Sequence, residues 1–141
     1  MPYPPLKAFN DADDCRAHFE LVYCQRPIVT FDGIAVWFRK SVFDHCFYES
    51  NNRDGIKDSF STIRSERIEW IKAALEDSNA GLYQGWDKNR RRYDPRRRVC
   101  VVETNYVVVI ALKTPTTADF RTAFVADSGR TLQMIEKSPK W

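Results

Sequence analysis

Tyr106–Leu112 reads Tyr-Val-Val-Val-Ile-Ala-Leu, apolar on both faces of a pleated strand. A strand with one face in water alternates apolar and polar residues, so this run marks a central strand. Val99–Glu103 stands before it as a partner strand, with Thr104-Asn105 as a two-residue turn between them. A Pro/Thr loop, Lys113–Asp119, leads to a third strand at Phe120–Ala126, and Leu82–Trp86 reads as a short strand upstream.

Helical signals lie mainly in the first half. Asn10 or Asp11 can cap a helix running to about Cys24, with Cys15, Phe19 and Val22 on one face. Arg26-Pro27 ends it. Ile28–Phe31 and Ile34–Phe38 flank Asp32-Gly33, which supplies the positive φ of a tight hairpin turn. Residues 50–60 are polar and rich in turn formers. A second helix is expected from about Ser61 to Glu76, burying Ile68, Ile71 and Leu75, with Trp70 also in the core. Arg64 and Arg67 align with that apolar stripe, and either snorkel and pair with acids or point past the core edge into a site. Ser128-Gly129 through Ile135 suggests a short C-terminal helix. The expected fold is α+β: N-terminal helices packed on a mainly antiparallel sheet of about four strands, with a short helix at the end. The 141 residues suit one domain, with 1–9 an extended arm carrying Pro2, Pro4 and Pro5.

The charge is unevenly placed. Of 22 Lys and Arg, seven lie in one stretch, Lys88, Arg90, Arg91, Arg92, Arg96, Arg97 and Arg98, beside a single acid, Asp94. The remaining chain carries 15 bases against 18 acids. This stretch reads as a loop between strands, and it is either a solvated loop or a polyanion-binding one, since guanidinium forks match phosphate oxygens. Four Trp, six Tyr and nine Phe exceed what so small a core hides, and surface rings can stack on bases. No apolar run approaches the roughly 20 residues of a membrane span. MPYPPLKAFND has neither a basic n-region nor an apolar h-region, so no signal peptide and a cytoplasmic location are expected. Cys15, Cys24, Cys46 and Cys100 form no CxxC pair and read as free thiols. Together with His18 and His45 they match no zinc spacing, so neither a metal nor a cofactor is expected.

Only His18 and His45 titrate near neutral pH among side chains with ordinary pKa values. His18 falls inside the first helix and reads as structural. His45, in Phe-Asp-His-Cys-Phe-Tyr-Glu, is either a packing residue or a catalytic imidazole held by neighbouring rings. In Phe-Arg-Thr-Ala-Phe, regular strand geometry puts Thr122 with Phe120 and Phe124, and Arg121 on the other face, unless a bulge intervenes.

These pieces in this order resemble the BECR-type nucleases of phages and mobile elements, the group that takes in barnase, EndoU, colicin D and RelE. The resemblance rests on Asp44-His45-Cys46-Phe47, on Arg64-Ser-Glu-Arg67-Ile-Glu-Trp-Ile, on the basic stretch before Tyr106–Ile110, and on Thr122-Ala-Phe124. It covers about Ile28 to Asp127, with 27–127 as the nuclease-like core. What it implies is a sheet whose open face binds RNA, and metal-independent cleavage by attack of the ribose 2′-OH on the adjacent phosphate. His45 would be the general acid or base, Thr122 would orient the scissile phosphate, and Arg67 or Arg98 would stabilise the developing charge. Glu103 would be the available second acid/base. Lys88, Arg90, Arg91, Arg92, Arg96, Arg97 and Arg64 would bind nucleic acid. The implied activity is an endoribonuclease of toxin or phage-accessory type, acting on tRNA or other RNA, with a cognate inhibitor protein as a further partner. A non-catalytic domain that binds nucleic acid or protein through 88–98 stands as the alternative.

Overall fold

The computed structural model describes residues 3–49 and 59–141. The turn-rich character read into 50–60 lies outside the described residues except at Ser59 and Phe60. Helix α1 (Ala12–Val22) begins where the Asp11 side chain accepts from the Asp14 amide, satisfying one donor of the open first turn. Its Cys15 and Phe19 are buried. Tyr23 closes it, and its buried hydroxyl donates to the Ile68 carbonyl at 2.6 Å, tying α1 to the later helices.

Strands β1 (Ile28–Val29) and β2 (Ala35–Trp37) form the expected hairpin, with Gly33 at φ 90° in its turn. Helix α2 (Val42–Phe47) follows, then β3 (Tyr48–Glu49) and β4 (Ser59–Phe60), which pair as a two-stranded ribbon. The helix expected over 61–76 is two pieces, α3 (Thr62–Ser65) and α4 (Ile68–Leu75). At the break the Glu66 carbonyl accepts from the Lys7 amide and the Arg67 carbonyl from the Tyr106 hydroxyl. The arm and the sheet thus both contact the chain at the break. Ile68, Ile71 and Leu75 are buried as expected, while Trp70 is half-buried and donates to the Pro4 carbonyl. The arm is therefore docked: Tyr3 stacks edge-on against Trp70 and donates to Asp77.

The large sheet has six strands rather than about four, in the order β1-β2-β8-β7-β6-β5. Its later members are β5 (Gly81–Asp87), β6 (Arg92–Val102), β7 (Tyr106–Thr114) and β8 (Thr117–Val125). The extra two strands are the early hairpin, which joins through a parallel pairing of β2 to β8, so the sheet is mixed. β7 is interior, with Val107 and Val108 both fully buried on opposite faces. One face of the sheet packs on α1, α2 and α4 around Phe19, Phe43, Phe47, Ile71 and Phe120. The other face carries Tyr83, Val99 and Val107, covered in part by Leu132 and Ile135 of α5 (Gly129–Glu136). No residue of α5 is fully buried, so this face is only partly roofed.

The basic stretch is not a loop. β6 starts at Arg92, leaving only 88–91 as the tip of the β5–β6 hairpin, where Arg91 takes φ 54°. Strand period then separates the arginines, since neighbours point to opposite faces. The loop expected over Lys113–Asp119 likewise shrinks to Pro115-Thr116 between β7 and β8. All four cysteines are free thiols, Cys15, Cys46 and Cys100 among them buried. Among the described residues no helix is long and apolar enough to cross a membrane.

Candidate functional site

The partly roofed face holds a cleft of about 1010 Å³ between the sheet and α5. Its floor is set by cross-strand register: Val99 of β6 stands opposite Val109 of β7, and Val109 opposite Thr122 of β8. Val107 opposite Phe124 makes the next row. One wall is α5, with Arg130, Thr131 and Met134, and His45 of α2 lines the far end. The α2 sequence explains that placement. Phe43, Cys46 and Phe47 fill the core, which leaves His45 on the exposed side of a short helix.

A bulge brings Arg121 to the same place. Val109 pairs with Thr122, but the next residue, Ile110, pairs with Phe120, so Arg121 is the additional residue of β8. The bulge also changes the parity of the strand. Phe120 turns into the helical core while Thr122 and Phe124 stay on the cleft side, which corrects the expectation that all three share a face. Arg121, Thr122 and His45 therefore line one cleft. Regular strand geometry would have allowed only one of the two β8 residues to do so.

The cations divide by pairing. Lys88, Arg97, Arg121 and Arg130 line the cleft, and among the described residues none of them has a carboxylate within ion-pair distance. Among the described residues no acid lines the cleft with them. The remaining arginines named from the sequence are mostly committed elsewhere. Arg90 pairs with Asp87 at 3.9 Å and Arg96 with Asp94 at 3.7 Å, while Arg91 and Arg92 are exposed at the hairpin tip. Four like charges around one concavity, with no compensating acid among the described lining residues, raise a positive potential that concentrates anions.

Arg67 and Arg98 do not belong to this cleft. Arg67 pairs with Glu66 at 2.9 Å, donates to the Ile63 carbonyl and lies over the Trp70 ring. Arg98 is 2% exposed and points away from Arg97 and Val99. Its guanidinium meets Asp32 at 2.9 and 3.1 Å and lies over the rings of Phe31 and Trp141. Burial pushes the Asp32 carboxyl up, but the hydrogen bond from Thr30 and the Arg98 guanidinium outweigh this, leaving its pKa below the ordinary value. Arg98 thus locks the β1–β2 turn to β6. Arg64 is also a brace. It donates to the Cys46 carbonyl at 3.0 Å, pairs with Glu49 at 3.5 Å and lies over Phe124, so it supports a cleft residue without lining the cleft.

Glu103 sits in the β6–β7 turn, beside Tyr3 and Asp77 in a separate cavity, and cannot act with His45. Among the described residues, Asp119 is a carboxylate that does come close, and the sequence did not single it out. It lines a smaller pocket of about 310 Å³ that shares His45 and Arg121 with the cleft, and it pairs with Lys113 at 3.1 Å and Arg39 at 3.7 Å. His18 lies in α1, outside the cleft, hydrogen-bonded to Glu69 at 2.5 Å. Among the described residues no three His, Cys, Asp or Glu side chains are grouped to hold a metal ion. Arg130, Met134 and Trp86 are further lining residues with no local signal in the sequence, since only the packing of α5 and the hairpin brings them together.

No protein-family model, no curated protein and no solved structure matches this chain.

Proposed function

We propose that the protein is an endoribonuclease that cleaves RNA by attack of a ribose 2′-OH on the adjacent phosphate. The observation that carries this reading is the convergence of His45, Thr122 and Arg121 on one cleft with three further cations. Cleavage of this kind forms the bond from the 2′-oxygen to phosphorus as the bond to the 5′-oxygen breaks. The 2′ proton passes to a base and the departing 5′-oxygen is protonated, leaving a 2′,3′-cyclic phosphate and a 5′-hydroxyl. His45 serves one of these transfers, because an imidazole gives and takes protons near neutral pH. Arg121, raised by the bulge beside it, faces the charge that builds on the phosphate oxygens, and the Thr122 hydroxyl orients the same group. Removing a donor aimed at such a charge typically costs on the order of 10²–10³ in rate. This assigns to Arg121 the part that the resemblance gave to Arg67 or Arg98.

RNA is favoured over DNA because only RNA carries the internal 2′-OH nucleophile. The pairing of the cations supports the same class of ligand. Lys88, Arg97, Arg121 and Arg130 gather around one concavity whose described lining holds no acid, and a phosphodiester chain supplies the complementary negative charge. Which RNA is cut, tRNA among the candidates, and whether an inhibitor protein covers the cleft in the manner of toxin systems are parts of the same proposal.

The test is direct. Purified protein is incubated with mixed RNA in the presence of a chelator, and product ends are read by mass spectrometry. The reading expects 2′,3′-cyclic phosphate ends. Tight, salt-sensitive RNA binding with no cleavage of mixed RNA, tRNA or ribosomes would instead make the cleft that of a binding module.

A further inference from the structure

One end of the cleft has no part in the chemistry above. Beyond Arg97 the cleft runs into a lobe of about 490 Å³ lined by Trp86, Tyr93, Met134 and Ile135. The two cavities share Trp86, Val99, Met134 and Ile135, so they form one continuous groove. Trp86 is 49% exposed and Met134 57%, and both apolar side chains face the groove from opposite sides, one from β5 and one from α5. The indole is held edge-on by Tyr93, with ring centroids 5.1 Å apart at 77°. Gly85 keeps the floor beside it low. A Cβ there would lie 2.8 Å from the Cβ of Arg97 and 3.5 Å from Val99, so a side chain at 85 would displace the arginine that borders the lobe.

An open indole, a methionine and bare backbone, bordered by Arg97 and Lys88, make an apolar slot with cations at its mouth. That combination suits a flat aromatic ring on a phosphate chain. Every nucleobase has a π-face that stacks on an aromatic side chain, with the charge of its backbone left to the neighbouring cations. Double-stranded RNA keeps those faces inside its stack and offers only phosphates, sugars and groove edges. We infer that this lobe is a subsite for an unpaired nucleobase, so the cleft takes single-stranded RNA. The inference rests on the proposed reading of the cleft as an RNA site and specifies its ligand.

The sheet also sets the spacing. From β5 to β8 is three strand intervals, roughly 14 Å. Successive phosphates of a stacked strand advance only about 3.4 Å along its axis. The base in the lobe is therefore not the one on the nucleotide that supplies the attacking 2′-OH, but one further along the strand.

Binding of the full chain to short, end-labelled RNAs with methylated 2′-oxygens, followed by fluorescence anisotropy, tests this. Blocking the nucleophile prevents cleavage, so the result does not depend on whether His45 is catalytic. Three ligands are compared: a single strand, the same strand with abasic sugars, and a blunt duplex. Trp86→Ala is expected to weaken binding of the single strand by roughly 5- to 150-fold and to leave the abasic strand and the duplex unchanged. Met134→Ala, on the opposite wall, is expected to act in the same direction with a smaller factor. Both positions are well exposed, and unchanged duplex binding reports that the fold is intact. Equal loss on all three ligands, or no loss on the single strand, would overturn the inference. A base-dependent loss in a protein that cleaves nothing would uphold the lobe and reject the nuclease.

Discussion

Replacing Asp32 should harm the fold more than replacing Arg98, although the two are partners in one ion pair. The Arg98 side chain is 3% exposed, whereas that of Asp32 is 35% exposed. Asp32→Ala leaves a buried guanidinium with no carboxylate, and an arginine cannot escape by losing its proton. Stripping one partner from a buried pair costs about 3–5 kcal/mol. The Phe31 and Trp141 rings, 5.2 and 5.6 Å from the guanidinium carbon, remain to face the charge, which places the expected loss near the lower end, at about 3 kcal/mol. Arg98→Met leaves the opposite remainder: a carboxylate at the surface that water can solvate, still receiving the Thr30 hydroxyl at 2.6 Å, beside an apolar chain that keeps the ring contacts. Its cost should be about 1 kcal/mol, the size of a surface-accessible pair. Urea unfolding read by fluorescence measures both, and with m near 1–3 kcal/mol/M a loss of 3 kcal/mol moves the midpoint by roughly 1–3 M. Equal costs, or a larger cost for Arg98→Met, would refute the reasoning. RNA cleavage by Arg98→Met should stay close to wild type at temperatures where it is folded, since this arginine faces away from the cleft.

Ile71→Ala should cost about 2–5 kcal/mol in the same assay, because its side chain is completely buried against the sheet. The salt dependence of single-strand binding should flatten by about 0.7 in log–log slope for each cleft cation removed, as in Arg97→Ala or Arg130→Ala, and should not change with Arg98→Met. Asp32 and Asp87 both have folded pKa values below the ordinary 3.8, Asp87 because the Arg90 and Asn89 amides donate to it. Their contribution to stability is therefore complete above about pH 3.8 and is lost as pH falls through the lower folded values, so Asp32→Asn should flatten the stability profile in that acid window. Cys15 and Cys100 are pushed up to about 12 by burial, and an aromatic disulfide reagent at pH 8 should label the half-exposed Cys24 first in the native protein and all four thiols only after unfolding.

The parts of the fold that local chemistry dictates were legible in the sequence. Asp11 caps α1, Asp32-Gly33 turns the first hairpin, and the doubly apolar Tyr106–Ile110 occupies an interior strand. What could not be read depends on register and on distant partners. The bulge at Arg121 exists only in the offset between β7 and β8, and it decides which β8 side chains reach the cleft. The break between α3 and α4 contains neither Pro nor Gly, and it coincides with contacts to Lys7 and Tyr106, far away in sequence. The parallel docking of β2 on β8 leaves no mark on either segment alone. Arg98 is instructive for another reason: seven bases in one stretch looked uniform, yet the period of two that carries β6 back to Arg92 separates Arg97 in the cleft from Arg98 in the interior.

The central claim is that His45 does chemistry in the cleft while other residues do the binding. The measurement that tests it most directly compares His45→Ala with wild type for both properties at once: the rate at which 2′,3′-cyclic phosphate ends appear from single-stranded RNA in chelator, and the affinity for the same strand with methylated 2′-oxygens. The account predicts that the variant loses at least about 10²-fold in rate, within the 10²–10⁴ that a positioned acid or base supplies, while its affinity stays within about twofold of wild type, a difference of under half a kcal/mol. Cleavage by His45→Ala at the wild-type rate, or a fall in rate matched by an equal fall in affinity, would contradict it.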